Sequence, residues 1–200
     1  MIIGIAGGSC SGKSSIAMAL AGMIRGRPVF ILGLDSYYLD LKDLEPEAKK
    51  LHNFDEPASL DIPLLVDNIK SLAAGGEVPI PIYDFGTHTR LPEDRWVRVS
   101  IDDNAIIVVE GLFTLSIPEI RKLLDVKVFI DVSHETCLQR RIARDIEERG
   151  RTRESVIEQY ERTVQPMFEL HVLPGREHAG LIVEGKDPVG ESAEKILHII

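Results

Sequence analysis

Five short apolar runs punctuate the chain, at residues 1–6, 29–34, 105–109, 126–131 and 180–183. They are rich in Ile, Val, Leu and Phe without polar alternation, which predicts strands buried on both faces. Helical patterns fall between them. Residues 15–25 have helical character, and Asp61 can cap a helix with Pro63 in its first turn that runs to about Ala74 and stops at Gly75 and Gly76. Pro118 opens a short helix. Ser133 caps a long one, with Leu138, Ile142 and Ile146 at spacing four, and Gly150 breaks it. Another helix is predicted from about residue 154 to 165, before Pro166, and a last one over 191–200. Residues 39–59 are polar and irregular, with helical character around 46–51. Residues 78–82 carry two prolines and so are extended but not a central strand, while 95–101 alternate and predict a strand with one wet face. These two pair in a hairpin-like flap, about 78–101. Strands alternating with helices predict a parallel five-stranded sheet flanked by helices, an α/β layer fold, as one domain over 1–200.

The first of these strands runs into the chemistry. Gly7, Gly12, Lys13 and Ser14 fit G-x-x-x-x-G-K-[ST], in the order strand, glycine-rich turn, helix. Backbone N–H groups of such a turn curl around an anion, and the helix N-terminus adds its positive dipole end. Gly7, Gly8, Ser9, Cys10, Ser11, Gly12, Lys13, Ser14 and Ser15 are therefore the expected nucleoside-triphosphate cradle. Lys13 reaches the β/γ-phosphates and the Ser14 hydroxyl completes a Mg²⁺ shell. Asp35 and Glu110 end two other buried strands, at the sheet edge where ligands of parallel sheets bind, and can stand near the γ-phosphate and its metal. An acid at a strand end is also an ordinary turn or cap residue.

Residues 140–153 hold a basic cluster that includes Arg140, Arg141, Arg144, Arg149 and Arg151. Guanidinium groups closing over a transferred phosphoryl supply the electrostatics that the reaction needs, and a helix–glycine–helix segment can move as a lid, about 141–158. The competing reading is a solvated face paired with Asp145, Glu147 and Glu148. Aromatic and polar residues in irregular stretches, Phe54 with Asp55 and Tyr83 through His88, can recognise a planar acceptor or simply pack on the core. No pair of histidines has metal-ligand spacing, so no zinc site is expected.

A net charge of −9 over 200 residues excludes a general nucleic-acid surface. Two cysteines imply no disulfide framework, no apolar run reaches membrane-spanning length, and the first strand begins at residue 1; the expectation is a cytoplasmic protein without a signal peptide.

Taken in order, the motif at 7–14, Asp35 to Tyr38, Asn53 to Pro57, Tyr83 to Arg90, Glu110 with Gly111, Arg140 to Arg151 and Gln159 with Tyr160 resemble uridine (uridine–cytidine) kinases, within the phosphoribulokinase/uridine kinase family. The resemblance spans nearly the whole chain. It implies a nucleoside-monophosphate-kinase-like P-loop core with an arginine-bearing helical lid, and ATP-dependent (or GTP-dependent) phosphorylation of the 5′-hydroxyl of uridine or cytidine with Mg²⁺. By that resemblance Asp35 is the catalytic base and a metal-side group with Ser14 and Glu110. Lys13, Arg144 and Arg149 face the phosphates. Asp55 and Arg141 hold the ribose hydroxyls, Tyr83 and His88 read the pyrimidine edge with Phe54 packing nearby, and Tyr38, Arg151 and Gln159 complete the acceptor pocket. Family members are commonly tetramers, which carries the expectation of a homo-oligomer. Cys10, Glu56, Ala58, Thr152 and Gly180 depart from residues usual in the family. Rival readings are a sister kinase acting on phosphoribulose or nicotinamide riboside, and a non-catalytic nucleotide-binding regulator. A GTPase is excluded by the lack of N-K-x-D.

Overall fold

The five apolar runs become one parallel sheet. In the computed structural model, which describes residues 1–200 with the side chains of 46, 50 and 51 excepted, the strands are β1 (Ile2–Gly7), β2 (Val29–Gly33), β7 (Ile106–Glu110), β8 (Val126–Asp131) and β9 (Leu181–Glu184). Their spatial order is β2-β7-β1-β8-β9, so β1 is central and its neighbours reach it through crossovers. The period-2 rule divides β1 between two cores: Ile3 and Ile5 face one, Ile2 and Ala6 the other. The first core lies under α1 (Lys13–Met23) and α8 (Val189–Leu197), where Ile16, Leu20 and Ile196 close over Val108 and Val128. The second lies under α3 (Ile62–Ala73), where Leu65, Ile69 and Leu72 meet Leu32, Val109 and Phe129. Both expected caps form: Asp61 accepts from Leu64 N–H, and Ser133 accepts from Thr136 N–H at the start of α5 (His134–Arg149). The two outer strands are less covered than the three inner ones; Ile182 of β9 faces outward.

The prolines of residues 78–82 are accommodated as expected. β3 (Glu77–Ile80) pairs antiparallel with β6 (Val97–Ser100), Val78 opposite Val99, in a two-stranded sheet apart from the central one. Between them a small hairpin, β4 (Tyr83–Asp84) with β5 (Thr89–Arg90), turns tightly because Asp84 accepts from Gly86 N–H at 2.8 Å and Thr87 Oγ1 at 2.9 Å. Arg90 ties this flap to the segment after β2: its guanidinium donates to Tyr38 O, Tyr37 O and Asp61 Oδ2 at 2.6, 2.8 and 2.9 Å. At the other end of the flap the indole of Trp96 donates to Leu91 O at 2.8 Å. The stretch between β2 and α3 carries the short helix α2 (Pro46–Leu51) with 3₁₀ turns at Leu34–Tyr37 and Pro57–Ser59, and α4 (Pro118–Arg121) begins at its proline.

Two helical expectations are corrected. The buried stripe of α5 is Cys137, Arg141 and Asp145, one position away from Leu138, Ile142 and Ile146, and Ile146 is exposed. The helix turns its polar side inward because that side faces the phosphate loop and finds charge partners there. The helix after Gly150 also does not stop before Pro166. α6 (Arg153–Gln159) continues through a wide turn, Tyr160–Val164, into α7 (Gln165–Met167) and a second wide turn, Phe168–Val172. Gln165 N–H reaches back to Tyr160 O, so the helix has already widened where the proline, with no N–H of its own, enters.

Candidate active site

Three strand ends meet at one edge of the sheet. β7 lies between β1 and β2, with Glu110 in register with both Ile5 and Gly33. The phosphate-loop segment follows β1, Asp35 follows β2 in the turn Leu34–Tyr37, and Glu110 ends β7, so all three open on the same cleft, of about 620 Å³.

The loop has the backbone that its glycines allow. Gly7 has φ 151° and a Cβ there would stand 2.7 Å from Ile130 O; Gly12 has φ 100°. Cys10 takes φ 61°, a left-handed conformation that a non-glycine residue adopts at some cost. Lys13 Nζ donates to Gly8 O at 2.8 Å, which curls the ammonium across the mouth of the loop. Ser14 Oγ donates to Glu110 Oε1 at 2.9 Å. A hydroxyl and carboxylates from neighbouring strands are the hard-oxygen donors that suit Mg²⁺ when phosphate oxygens and water fill the remaining positions. Among the described residues no set of three His, Cys, Asp or Glu side chains forms a metal cage of its own.

Three of the acids lining the cleft have raised pKa values. Asp35 opens on it, with surface accessible from the cleft but protein packed around the carboxyl. Burial raises its pKa, opposed by Lys13, Arg144 and Arg149. Glu110 is raised by burial against the pull of Lys13, and Asp55 by burial against the pull of Arg141.

At the acceptor end the side chains are aromatic. Tyr38 packs edge-on to Phe54 and Phe85 with centroids at 5.5 and 6.3 Å, and His88 stacks on Phe54 at 4.7 Å and 23°. His88 has φ 56° and a buried Nδ1 without a protein partner, and burial lowers its pKa, so the ring is neutral near pH 7. A strained imidazole with an unpartnered buried nitrogen beside an aromatic ring is a feature that calls for an explanation beyond packing.

The loop residues Ser9, Cys10, Ser11, Gly12, Lys13, Ser14 and Ser15 line this one cleft together with Asp35, Tyr38, Phe54, Asp55, His88, Glu110, Arg141, Arg144, Arg149 and Gln159. The structure does not bring four of the expected residues to its wall. Gly7 and Gly8, at the start of the loop, are buried and do not line the cleft. Tyr83 is buried behind Tyr38, centroids 5.4 Å apart, its hydroxyl without a partner and its pKa pushed by burial up to about 12. Arg151 stands behind Gln159, donating to its Oε1 and to Ser155 O. Phe85, Glu148 and Asp187 line the cleft without having been singled out from the sequence. Phe85 sat inside the quoted flap motif; Glu148 and Asp187 carried no signal beyond their charge.

The comparisons with known proteins agree on family and fold. Residues 2–189 match the model of the phosphoribulokinase/uridine kinase family. Uridine kinase of Staphylococcus epidermidis is 41% identical over 182 residues, covering 91% of this chain and 86% of that protein. The chain belongs to the phosphoribulokinase/uridine kinase family. Uridine kinase of Ligilactobacillus salivarius is 39% identical over 183 residues, with 92% and 84% covered. Phosphoribulokinase from Rhodobacter spheroides superposes with a TM-score of 0.65 at 15% identity, covering 94% of this chain and 73% of that one, a likeness of fold. No described helix is long and apolar enough to cross a membrane.

Proposed function

We propose that this protein is a uridine/cytidine kinase that transfers the γ-phosphoryl group of ATP to the nucleoside 5′-hydroxyl, with Mg²⁺ held by Ser14, Glu110 and Asp35. The observation that carries the reading is the layout of the cleft: a phosphate loop and a neutral histidine–aromatic stack open on the same space, with Asp35 in the fields of Lys13 and of Asp55. Ser14, Glu110 and Asp35 would hold the metal, which would supply charge neutralisation for the phosphate oxygens. Asp35 accepts the 5′-hydroxyl proton as the oxygen attacks. Lys13, Arg144 and Arg149 meet the charge that spreads over the transferring oxygens. Asp55, beside Arg141, accepts from the ribose 2′- and 3′-hydroxyls, and His88 with Phe54 takes the pyrimidine. Tyr83 and Arg151 support Tyr38 and Gln159 from behind. The lid is the segment about 141–158 and the flap about 78–101. The reading also carries a cytoplasmic location and a homo-oligomeric state by family resemblance.

The acceptor assignment is tested with a nucleoside panel. Leaving the Asp55 carboxylate partly unpaired under a bound sugar costs about 1–3 kcal/mol. Deoxyuridine is therefore expected to be at least roughly tenfold poorer than uridine in kcat/KM, and adenosine to be too large for the stack. Asp55→Ala is expected to narrow the ribose–deoxyribose gap by harming the ribose reaction. Equal use of uridine and deoxyuridine by the parent would remove Asp55 from sugar recognition. A preference for nicotinamide riboside would overturn the substrate.

A further inference from the structure

Asp145 has no solvent-exposed surface, yet its carboxylate is approached by four guanidinium groups. Oδ1 accepts from Arg144 Nε and Nη2 at 2.9 and 2.8 Å and has Arg149 Nη1 at 3.7 Å. Oδ2 has Arg151 Nη1 at 3.4 Å and Arg141 Nε at 3.6 Å. The main-chain oxygen of the same residue accepts from Arg151 N–H at 3.0 Å, where Gly150 in the left-handed region ends α5.

The four arginines reach different parts of the site. Arg141 donates to Ser9 Oγ of the phosphate loop at 2.8 Å and to Gln159 Oε1 at 3.2 Å. Arg144 and Arg149 line the cleft, and the Arg149 guanidinium stands 5.7 Å from the Phe85 ring of the flap. Arg151 braces Gln159.

We propose that Asp145 is a positioning residue of the phosphoryl-transfer site, whose buried carboxylate gathers these four arginines into one sheaf and so aims Arg144 and Arg149 at the transferring phosphoryl. The inference rests on the kinase reading above. Four like charges on neighbouring turns repel, and exposed pairing would hold them only weakly. One desolvated carboxylate holds them strongly, because leaving it unpaired is far costlier than at a surface. It does so unequally. Arg144 has the short, two-pronged bond and is fixed. Arg149 is loosely held at 3.7 Å, and desolvation together with the Arg144 charge lowers its pKa, so it has the most to gain from an incoming anion.

Asp145→Asn keeps the shape and removes the charge. In the full-length protein with MgATP and uridine, it is expected to lower kcat by about 10²-fold, the scale of a small misplacement of catalytic groups, with KM changing much less. In an Arg144→Gln/Arg149→Gln background the same change is expected to cost less than about threefold further, because the groups it acts through are gone. A purely structural role would cost the same factor in both backgrounds, and that result overturns the proposal; so does parent-like turnover by Asp145→Asn. Should the amide not fold, Asp145→Glu, which keeps the charge but displaces it, takes its place in the same cycle with the same expected outcomes. The melting-temperature shift given by MgATP, measured on all four proteins of the cycle, separates the two readings. If the parent fails to phosphorylate uridine but Asp145→Asn shrinks the MgATP shift only where Arg144 and Arg149 are present, the substrate reading falls and the role of Asp145 stands.

Discussion

Asp35→Asn is expected to lower kcat by ~10²–10⁴-fold while making the folded protein harder to melt at neutral pH. The loss follows from removing the proton acceptor. The gain follows from the environment of the same carboxyl, which opens on the cleft with protein packed around it, so that burial raises its pKa above the ordinary 3.8 in spite of Lys13, Arg144 and Arg149, while its accessible surface keeps the gain small. A group whose folded pKa exceeds its unfolded one binds its proton more tightly in the folded state. Its ionisation therefore costs stability above the folded pKa, and the cost disappears as pH falls through that value towards the unfolded one. An uncharged amide escapes this cost. The Tm advantage of Asp35→Asn should thus be present at neutral pH and fade on acidification. Thermal melts over pH about 4 to about 8, alongside kcat, check both halves. Retained turnover removes Asp35 from the chemistry. A Tm below the parent's across the whole range contradicts the account of its environment.

Lys13→Ala is expected to reduce turnover by ~10³-fold or more, since the transferring phosphoryl loses a cation that positioning alone does not replace. Arginine should not rescue it. The ammonium is nearly buried and docks on Gly8 O as a compact charge, and a planar fork does not fit that cradle. A second signature is specific to this cleft. Lys13 lowers the pKa of both Asp35 and Glu110, so its removal lets both rise further. The acid limb of the residual pH–rate profile should move to higher pH. Steady-state rates across pH on Lys13→Ala decide this, and an unmoved acid limb would detach Lys13 from the two acids.

How much of this was legible beforehand differs from element to element. The P-loop, the order of strands and helices and the caps at Asp61 and Ser133 follow from local chemistry, because a glycine turn, a cap or a doubly buried strand is specified by residues near one another. The placement of Asp35 and Glu110 at one edge was also readable, since parallel strands present the same end. Asp145 was not. In the sequence it is one acid among arginines, indistinguishable from a solvated pair at i, i+4, and only the packing of α5 against the loop shows that it is buried. The stripe of Leu138, Ile142 and Ile146 misled for the same reason, since apolar spacing outweighs charge in a pattern argument but not beside a polar cleft. Tyr83 and Arg151 were expected at the ligand and stand one layer behind it, because motif order names residues without giving the depth of their side chains. The helix running past Pro166 depended on a widened turn that no propensity signals.

Trp96 is the chain's single tryptophan, and its place in the flap gives the protein a fluorophore of its own. The indole N–H is bonded to Leu91 O, between β5 and β6, away from the aromatic stack around Phe54. Its emission therefore reports on one small element, without contributions from a second indole elsewhere in the fold. Movement of the flap relative to the body would loosen that bond or alter the ring's exposure, and the emission maximum would shift with it. Stopped-flow mixing of the unlabelled protein with nucleoside, and separately with nucleotide, would show which of the two this hairpin-like flap responds to in the native chain.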